Sequence, residues 1–230
     1  VRADIDGDID QVVRPAGAVE VVAGAVLEAR STTGGQGGFG NGTLGVNLAR
    51  GTLRVLGVNT AGTYHATVEK VFASGAGTLH VNKNSTNAAV LAQLRINEPI
   101  DRSPGATVAL LSQNNSLGDL EKILFNNNTD APARLTVSGP ATINMVAPYF
   151  INTCGNLGNF VDYDSTIAAE INPGFVNVAY TTITDDLGLA AATAETIAEV
   201  TSAVAISDNR TVGALRADSN ISGSFTITID

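Results

Sequence analysis

Short runs in which apolar and polar residues alternate recur along the chain, with little more than turns between them. In TLGVNLA, Leu44, Val46 and Leu48 share one face, and in TLRVLGV Leu53 and Val55 do the same. TYHATVEKVF, TLHVNK, AVLAQLRIN and ATVALLS continue the pattern, separated by Gly, Asn, Ser or Pro. Within AVLAQLRIN, Val90, Ala92, Leu94 and Ile96 face inward while Gln93 and Arg95 face outward, the period of a half-buried antiparallel strand. ARLTVSG, ATINMVAPYFI, FVNVAYTTI, ALRADSN and SGSFTITID add further strands, and VEVVAGAVLEA reads as one apolar strand or two short ones. Two segments predict helices. SLGDLEKILFNNN offers Ser116 as a cap, with Asp119 and Glu121 suited to the first turn. LAAATAETIAEVTSAVAI is Ala-rich with Ile197, Val200 and Val204 spaced for a helix face, and strand is its alternative.

Closely spaced strands with one or two short helices predict a mainly β protein, an antiparallel β-sandwich of jelly-roll type. No internal repeat of fixed period is visible, which disfavours a solenoid. The expected organisation is an N-terminal arm over residues 1–30, a linker over 31–42, a sandwich over 43–151 and an acidic β-rich region over 152–230. The linker assignment rests on the glycines of STTGGQGGFGNG.

AGTYHATVEKVFASGAGTLHVNKNS resembles the central hairpin of jelly rolls of the complement and tumour-necrosis-factor type. In that family a G-x-Y strand is followed by a Gly-bearing turn and a second amphipathic strand ending in a K-N turn. LTVSGPATINMVAPYFI is similar to the family's closing strands. The resemblance covers residues 42–151 and implies a trimerising, non-enzymatic recognition or coat domain.

Composition narrows the function. The net charge is −9 and only three lysines occur, Lys70, Lys83 and Lys122. Nucleic-acid backbones and anionic membrane surfaces require clustered cations, so neither is an expected partner. No apolar run of about 18 residues exists, so membrane insertion by a helix is not expected. Charge is segregated: from Leu135 to Asn209 there are eight acids and no base, whereas residues 31–134 carry six acids and eight bases. An acidic part of one copy meeting the basic middle of the next is one reading, and solubility is the other. Six Asn-x-Ser/Thr sequons, at Asn41, Asn84, Asn114, Asn127, Asn209 and Asn220, are candidate N-glycan sites. With a chain that begins at Val1 rather than Met, they predict an extracellular or cell-surface protein, or a virion component.

The stretch DIDGDID is the most chemically suggestive. Extended, it places Asp4, Asp6, Asp8 and Asp10 on one face, where four carboxylates repel unless a cation screens them. Calcium, which takes six to eight oxygens, is the candidate ion, although the spacing is not that of an EF-hand. A solvated acidic terminus is the alternative. His65 and His80 lie in strand patterns and with Cys154 make a poor metal set. Cys154 stands alone, so no intrachain disulfide forms, and no nucleophile signature surrounds it. Asp162/Asp164 and Asp185/Asp186 are carboxylate pairs, but without Trp and with 4 Tyr they read better as turns or a helix start. GGQGGFGNG lacks the Lys of a phosphate loop.

Nothing here predicts an enzyme. The expectation is a non-catalytic structural subunit of a self-assembling extracellular β-rich assembly: a pilus-like fibre, surface layer or virion coat. Its partners are copies of itself, linked by strand exchange. The arm around Val19 to Leu27 completes a neighbour's sheet, and Phe225, Ile227 and Ile229 close the chain's own sandwich or line that groove. The alternative is a secreted adhesion or glycan-binding module.

Overall fold

The computed structural model describes residues 2–6, 19–30, 35–36, 39, 42–113, 117–137, 142–154, 158–165 and 173–229. The protein is mainly β, as expected, but its strands pair mostly in parallel. After strand β1 (Arg2–Asp6), the chain winds through four coils of three strands. The first is β2 (Val19–Val22), β3 (Val26–Arg30) and β4 (Gly35–Gln36). The second is β5 (Gly45–Ala49), β6 (Thr52–Leu56) and β7 (Gly62–Val68). Next come β8 (Lys70–Ala73), β9 (Gly77–Asn82) and β10 (Val90–Ile96). The last is β11 (Asp101–Arg102), β12 (Val108–Ser112) and β13 (Glu121–Phe125). Each side of the coil stacks into its own sheet, in the orders β2-β5-β8-β11, β1-β3-β6-β9-β12 and β4-β7-β10-β13. This is a parallel β-solenoid, and it replaces both the expected antiparallel sandwich and the argument against a solenoid.

In-register stacking explains why these residues suit it. Leu27 pairs with Leu53, Leu53 with Leu79 and Leu79 with Leu110, and all four are buried. Ala66, Leu94 and Ile123 form a second buried ladder, and Val68, Ile96 and Phe125 a third. Val21, Leu48 and Ala73 line the remaining side. The inward alternation expected for Val90, Ala92, Leu94 and Ile96 is therefore present, in a parallel strand. Burying each such side chain stabilises the fold by roughly 1.5–3 kcal/mol.

The corners between strands are unequal. From β5 to β6 the chain turns in two residues, Arg50 in the left-handed region (φ 70) and Gly51. A Cβ on Gly51 would lie 2.4 Å from the Val21 carbonyl oxygen of the coil above, so only glycine allows the coils to close up there. The corners after β6, β9 and β12 are longer, spanning 57–61, 83–89 and 113–120. The first coil uses the glycine-rich stretch expected to be a linker: Gly35–Gln36 pair with Tyr64–His65, and Phe39 is fully buried. Val19–Val22 and Val26–Arg30, the arm expected to be exchanged, pair with β5 and β6 of the same chain.

The segment predicted as a helix with Ser116 as its cap forms strand β13 instead. Its alternation of Ile123 and Phe125 fits the inward positions below Leu94 and Ile96, and that burial overrides its helix propensity. The chain continues through η1 (Asn128–Asp130), then β14 (Arg134–Thr136) and β15 (Thr142–Val146), which pair with each other. Strand β16 (Phe150–Asn152) then adds in parallel to β12. Strands β17 (Asn159–Asp164) and β18 (Gly174–Asn177) follow antiparallel. They close the end of the solenoid: Tyr163 and Phe175 pack on Phe125 at ring distances of 5.6 and 6.2 Å, and the Tyr163 hydroxyl accepts the Phe125 N–H at 2.8 Å. Gly174 (φ +72) would place a Cβ 2.3 Å from the Ile123 carbonyl oxygen, so this closing strand needs glycine at the contact.

The chain divides into two compact units, residues 1–133 with 146–177 and residues 134–145 with 178–230. The second unit is also built of parallel coils, with a shorter repeat. Strands β19 (Thr181–Ile183), β20 (Ile197–Val200) and β23 (Ala214–Ala217) form one sheet. Strand β21 (Val204–Ala205) pairs with β24 (Ile221–Ser222), and β22 (Arg210–Val212) with β25 (Ile227–Ile229). Ile197 pairs with Ala214, Val204 with Ile221 and Arg210 with Ile227, a constant step of 17 residues. The Ala-rich helix expected over 189–206 does not form; the short α1 (Asp186–Ala190) overlaps it only at Leu189 and Ala190 and is capped by the Asp185 carboxylate, which accepts the Gly188 N–H at 2.7 Å. The strand alternative holds for Ile197–Val200, where Ile197, Ala198 and Val200 are buried.

Replacing Leu53 by Ala should lower stability by about 2–5 kcal/mol, because the ladder neighbours on both sides leave a cavity that cannot collapse. Gly51→Ala should also be destabilising despite adding only a methyl group. Urea denaturation of the two variants checks both, and an unchanged midpoint for Gly51→Ala would contradict the close coil approach.

Candidate functional site

On the outward side of the sheet that holds the Leu27 ladder, register brings Glu28 next to Arg54, Arg54 next to His80 and His80 next to Leu111. Glu28 is 1% exposed, and a buried carboxylate is tolerated only when paired. It is held by Arg54 Nε at 2.7 Å and by the Arg30 guanidinium at 3.1 Å. His80 is also buried, and its Nε2 has no hydrogen-bond partner among the described residues. Burial, and then the Arg54 charge, hold its imidazole below the ordinary value, with Glu121 and Glu28 pulling the other way.

Where this sheet turns toward the β7-β10-β13 sheet, residues of the corners after β6 and β9, with Gln113, line an open groove of about 660 Å³. It is lined by Arg54, Asn59, Asn82, Asn84, Ser85, Thr86 and Gln113. The corner after β9 is built by side chains that replace missing backbone partners. Asn82 Oδ1 accepts the Asn84 N–H at 2.6 Å, Ser85 Oγ accepts the Asn87 N–H at 3.0 Å and Asn87 Oδ1 accepts the Ala89 N–H at 2.9 Å. Asn84 takes a left-handed conformation (φ 53), which Asn tolerates better than most residues. The Ser85 hydroxyl donates to Asn59 Oδ1, joining this corner to that of the coil above. Beneath it, Lys83 N–H donates to the buried Glu121 carboxylate at 2.9 Å, and Lys83 Nζ donates to the Asn87 carbonyl at 3.2 Å. The groove is thus formed in advance and polar, and among the described residues it holds a cation and no carboxylate.

A smaller cavity of about 220 Å³ carries aromatic residues, Phe125, Tyr149 and Phe150. Its Tyr149 ring is already covered by the Arg102 guanidinium, 3.9 Å from the centroid, so it is not a free stacking surface.

The residues singled out from sequence are scattered. Asp4 and Asp6 lie in β1 at the register positions of Glu28 and Arg30, while Asp8 and Asp10 fall outside the described residues. Among the described residues no group of three His, Cys, Asp or Glu side chains could hold a metal. His65 and His80 stand on different strands, β7 and β9. The Cys154 thiol donates to the Ser112 carbonyl and its N–H to Asn152 Oδ1. Asp162 and Asp164 belong to β17, and Asp186 pairs with Arg210 at 2.7 Å. Of the sequon asparagines, Asn84, Asn127, Asn209 and Asn220 are exposed, and Asn41 and Asn114 lie outside the described residues.

No family model, no curated protein and no solved structure matches this chain. Among the described residues no helix is long and apolar enough to cross a membrane.

Sequence reasoning missed Arg54, Asn59, Asn82, Asn84 and Gln113 as a group. Their signal was present: Asn or Gln follows three successive strand patterns, in VNT, NKNST and SQNNS. What was missing was the register that brings these turns together.

The His80 environment sets a pH dependence. The unfolded chain takes up a proton near pH ~6.5 that the folded protein resists, so this contribution to stability is complete above that pH and falls as the pH drops through it. The loss is at most about 1.4 kcal/mol per pH unit. Urea midpoints should fall between pH 7.5 and 5.5, and His80→Asn should flatten that fall; an equal slope in the variant would contradict the assignment.

Proposed function

We infer that this chain is a non-catalytic structural subunit of an extracellular β-rich assembly, a fibre, surface layer or coat, joined to sister copies through open coil edges. The carrying observation is a difference between coil ends. In the first unit β17 and β18 cover the last coil with aromatic side chains. In the second unit, among the described residues, strands β23, β24 and β25 pair on one side only, with β20, β21 and β22, and Phe225 and Ile229 stand 47% and 54% exposed. Unpaired strand edges with apolar side chains pair readily with another copy. The link differs from the exchange of Val19 to Leu27, since those residues complete the chain's own first coil. Support for a non-catalytic role comes from the side chains that catalysis would use: His80 is buried beside Arg54, and the Cys154 thiol is bonded to a carbonyl.

A second reading, a secreted adhesion or glycan-binding module, is favoured by the preformed groove. In solenoids, insertions collect at one corner and commonly form the binding face. The corners 57–61 and 83–89, joined by the Ser85–Asn59 hydrogen bond, follow that pattern.

Sedimentation of the 230-residue chain across a wide concentration range separates the readings. Assembly predicts growing particles, and Phe225→Lys with Ile229→Lys should raise the concentration needed by at least tenfold while leaving circular dichroism unchanged. A chain that stays monomeric at high concentration would end the structural reading.

A further inference from the structure

Two of the groove's amides, Asn59 and Asn82, have their acceptor oxygens already engaged. An Asn side chain offers one acceptor oxygen and two N–H donors. Asn82 Oδ1 is taken by the Asn84 N–H, and Asn59 Oδ1 by the Ser85 hydroxyl. These bonds also fix the amide orientations, since each oxygen must face its donor. Among the described residues the Asn82 and Asn59 Nδ2 groups have no protein partner, and both residues line the groove. Arg54 joins them, 28% exposed, with Nε on Glu28 and its remaining guanidinium N–H groups available as donors. Asn84, Ser85, Thr86 and Gln113 complete the lining, which among the described residues contains no carboxylate in a chain of net charge −9. Two amides whose oxygens are engaged thus stand beside one fixed cation. A ligand that brings acceptors and negative charge suits them.

We propose that the groove binds an acidic oligosaccharide, with the anionic group of one sugar on Arg54 and neighbouring ring oxygens on the Nδ2 groups of Asn59 and Asn82. This deepens the glycan-binding reading and rests on it. An extended saccharide suits a groove that runs across stacked corners, and the polar lining replaces the aromatic stacking that the site lacks. A neutral sugar would offer hydroxyls to donors already matched to an anion. It would leave the Arg54 charge without a counterpart beyond Glu28.

The test is calorimetric titration of the full chain with oligo-β-1,4-glucuronate and with the cello-oligosaccharide of equal length, which differs only in carrying a C6 hydroxyl in place of the carboxylate. The uronate should bind at least tenfold more tightly, and 0.5 M salt should weaken it. Asn82→Asp keeps the acceptor for the Asn84 N–H and so keeps the corner, but replaces the free donor by a charged acceptor. It should reduce uronate binding at least tenfold with an unchanged urea midpoint, and Arg54→Gln should do the same whatever its effect on stability. Equal binding of both oligosaccharides would overturn the acidic assignment while leaving the glycan-binding reading in place. Binding of neither would overturn both. Uronate binding that Asn82→Asp leaves intact would place the site elsewhere and overturn the proposal. So would full competition by inorganic sulfate at the uronate's own concentration, which would make the groove a site for any small anion.

Discussion

Parallel stacking of one coil on the next is the constraint from which the rest of this molecule follows. A coil has no hydrogen-bond partners within itself, so every strand depends on the coil above and the coil below. Side chains must then meet their counterparts at the same register position, which is why Leu27, Leu53, Leu79 and Leu110 fall in a column. The same rule makes the coil ends expensive. The first unit meets that cost by reversing strand direction at β17 and β18 and placing Tyr163 and Phe175 over Phe125. The last coil of the second unit has no such cover among the described residues.

Stacking also governs the polar groups. On the outward side of the same sheet, column positions hold Glu28, Arg54 and His80, and the buried Glu28 carboxylate has its register partner Arg54 on one oxygen and Arg30, two residues along its own strand, on the other. The second unit repeats the device at its surface: Glu199 and Arg216 are register partners, 3.2 Å apart, and Arg216 also holds Asp218 at 2.9 Å. Charge in both units follows the columns more than the chain. The segregation of acids and bases along the sequence therefore says little about which charges meet.

Local alternation made the strands legible. Val46 and Leu48, Leu53 and Val55, and the four inward residues of β10 all point where their spacing indicates. Sheet direction was not legible, because a strand buried on one face alternates in the same way whichever way its neighbour runs. The repeat was hidden by unequal corners. Leu27 to Leu53 and Leu53 to Leu79 are each 26 residues, yet Leu79 to Leu110 is 31, so no single period survives along the first unit. In the second unit the step of 17 is constant, but two or three copies of it, carried by Ile, Val, Ala and Arg alike, leave no sequence signature. Residues 117–125 were misread because their acids and apolar spacing satisfy a helix equally well. Only the inward positions beneath β10 decide for a strand. The groove was illegible for the same reason as the repeat: its residues are far apart in sequence and adjacent only through register.

The variable corners lie outside the columns, and this separates two demands that compete in most folds. The scaffold keeps its leucine and valine positions, while 57–61, 83–89 and 113–120 differ in length and composition without disturbing them. A lineage, or an engineer, can therefore graft a new loop at that edge and change what is recognised while the framework stays as it is.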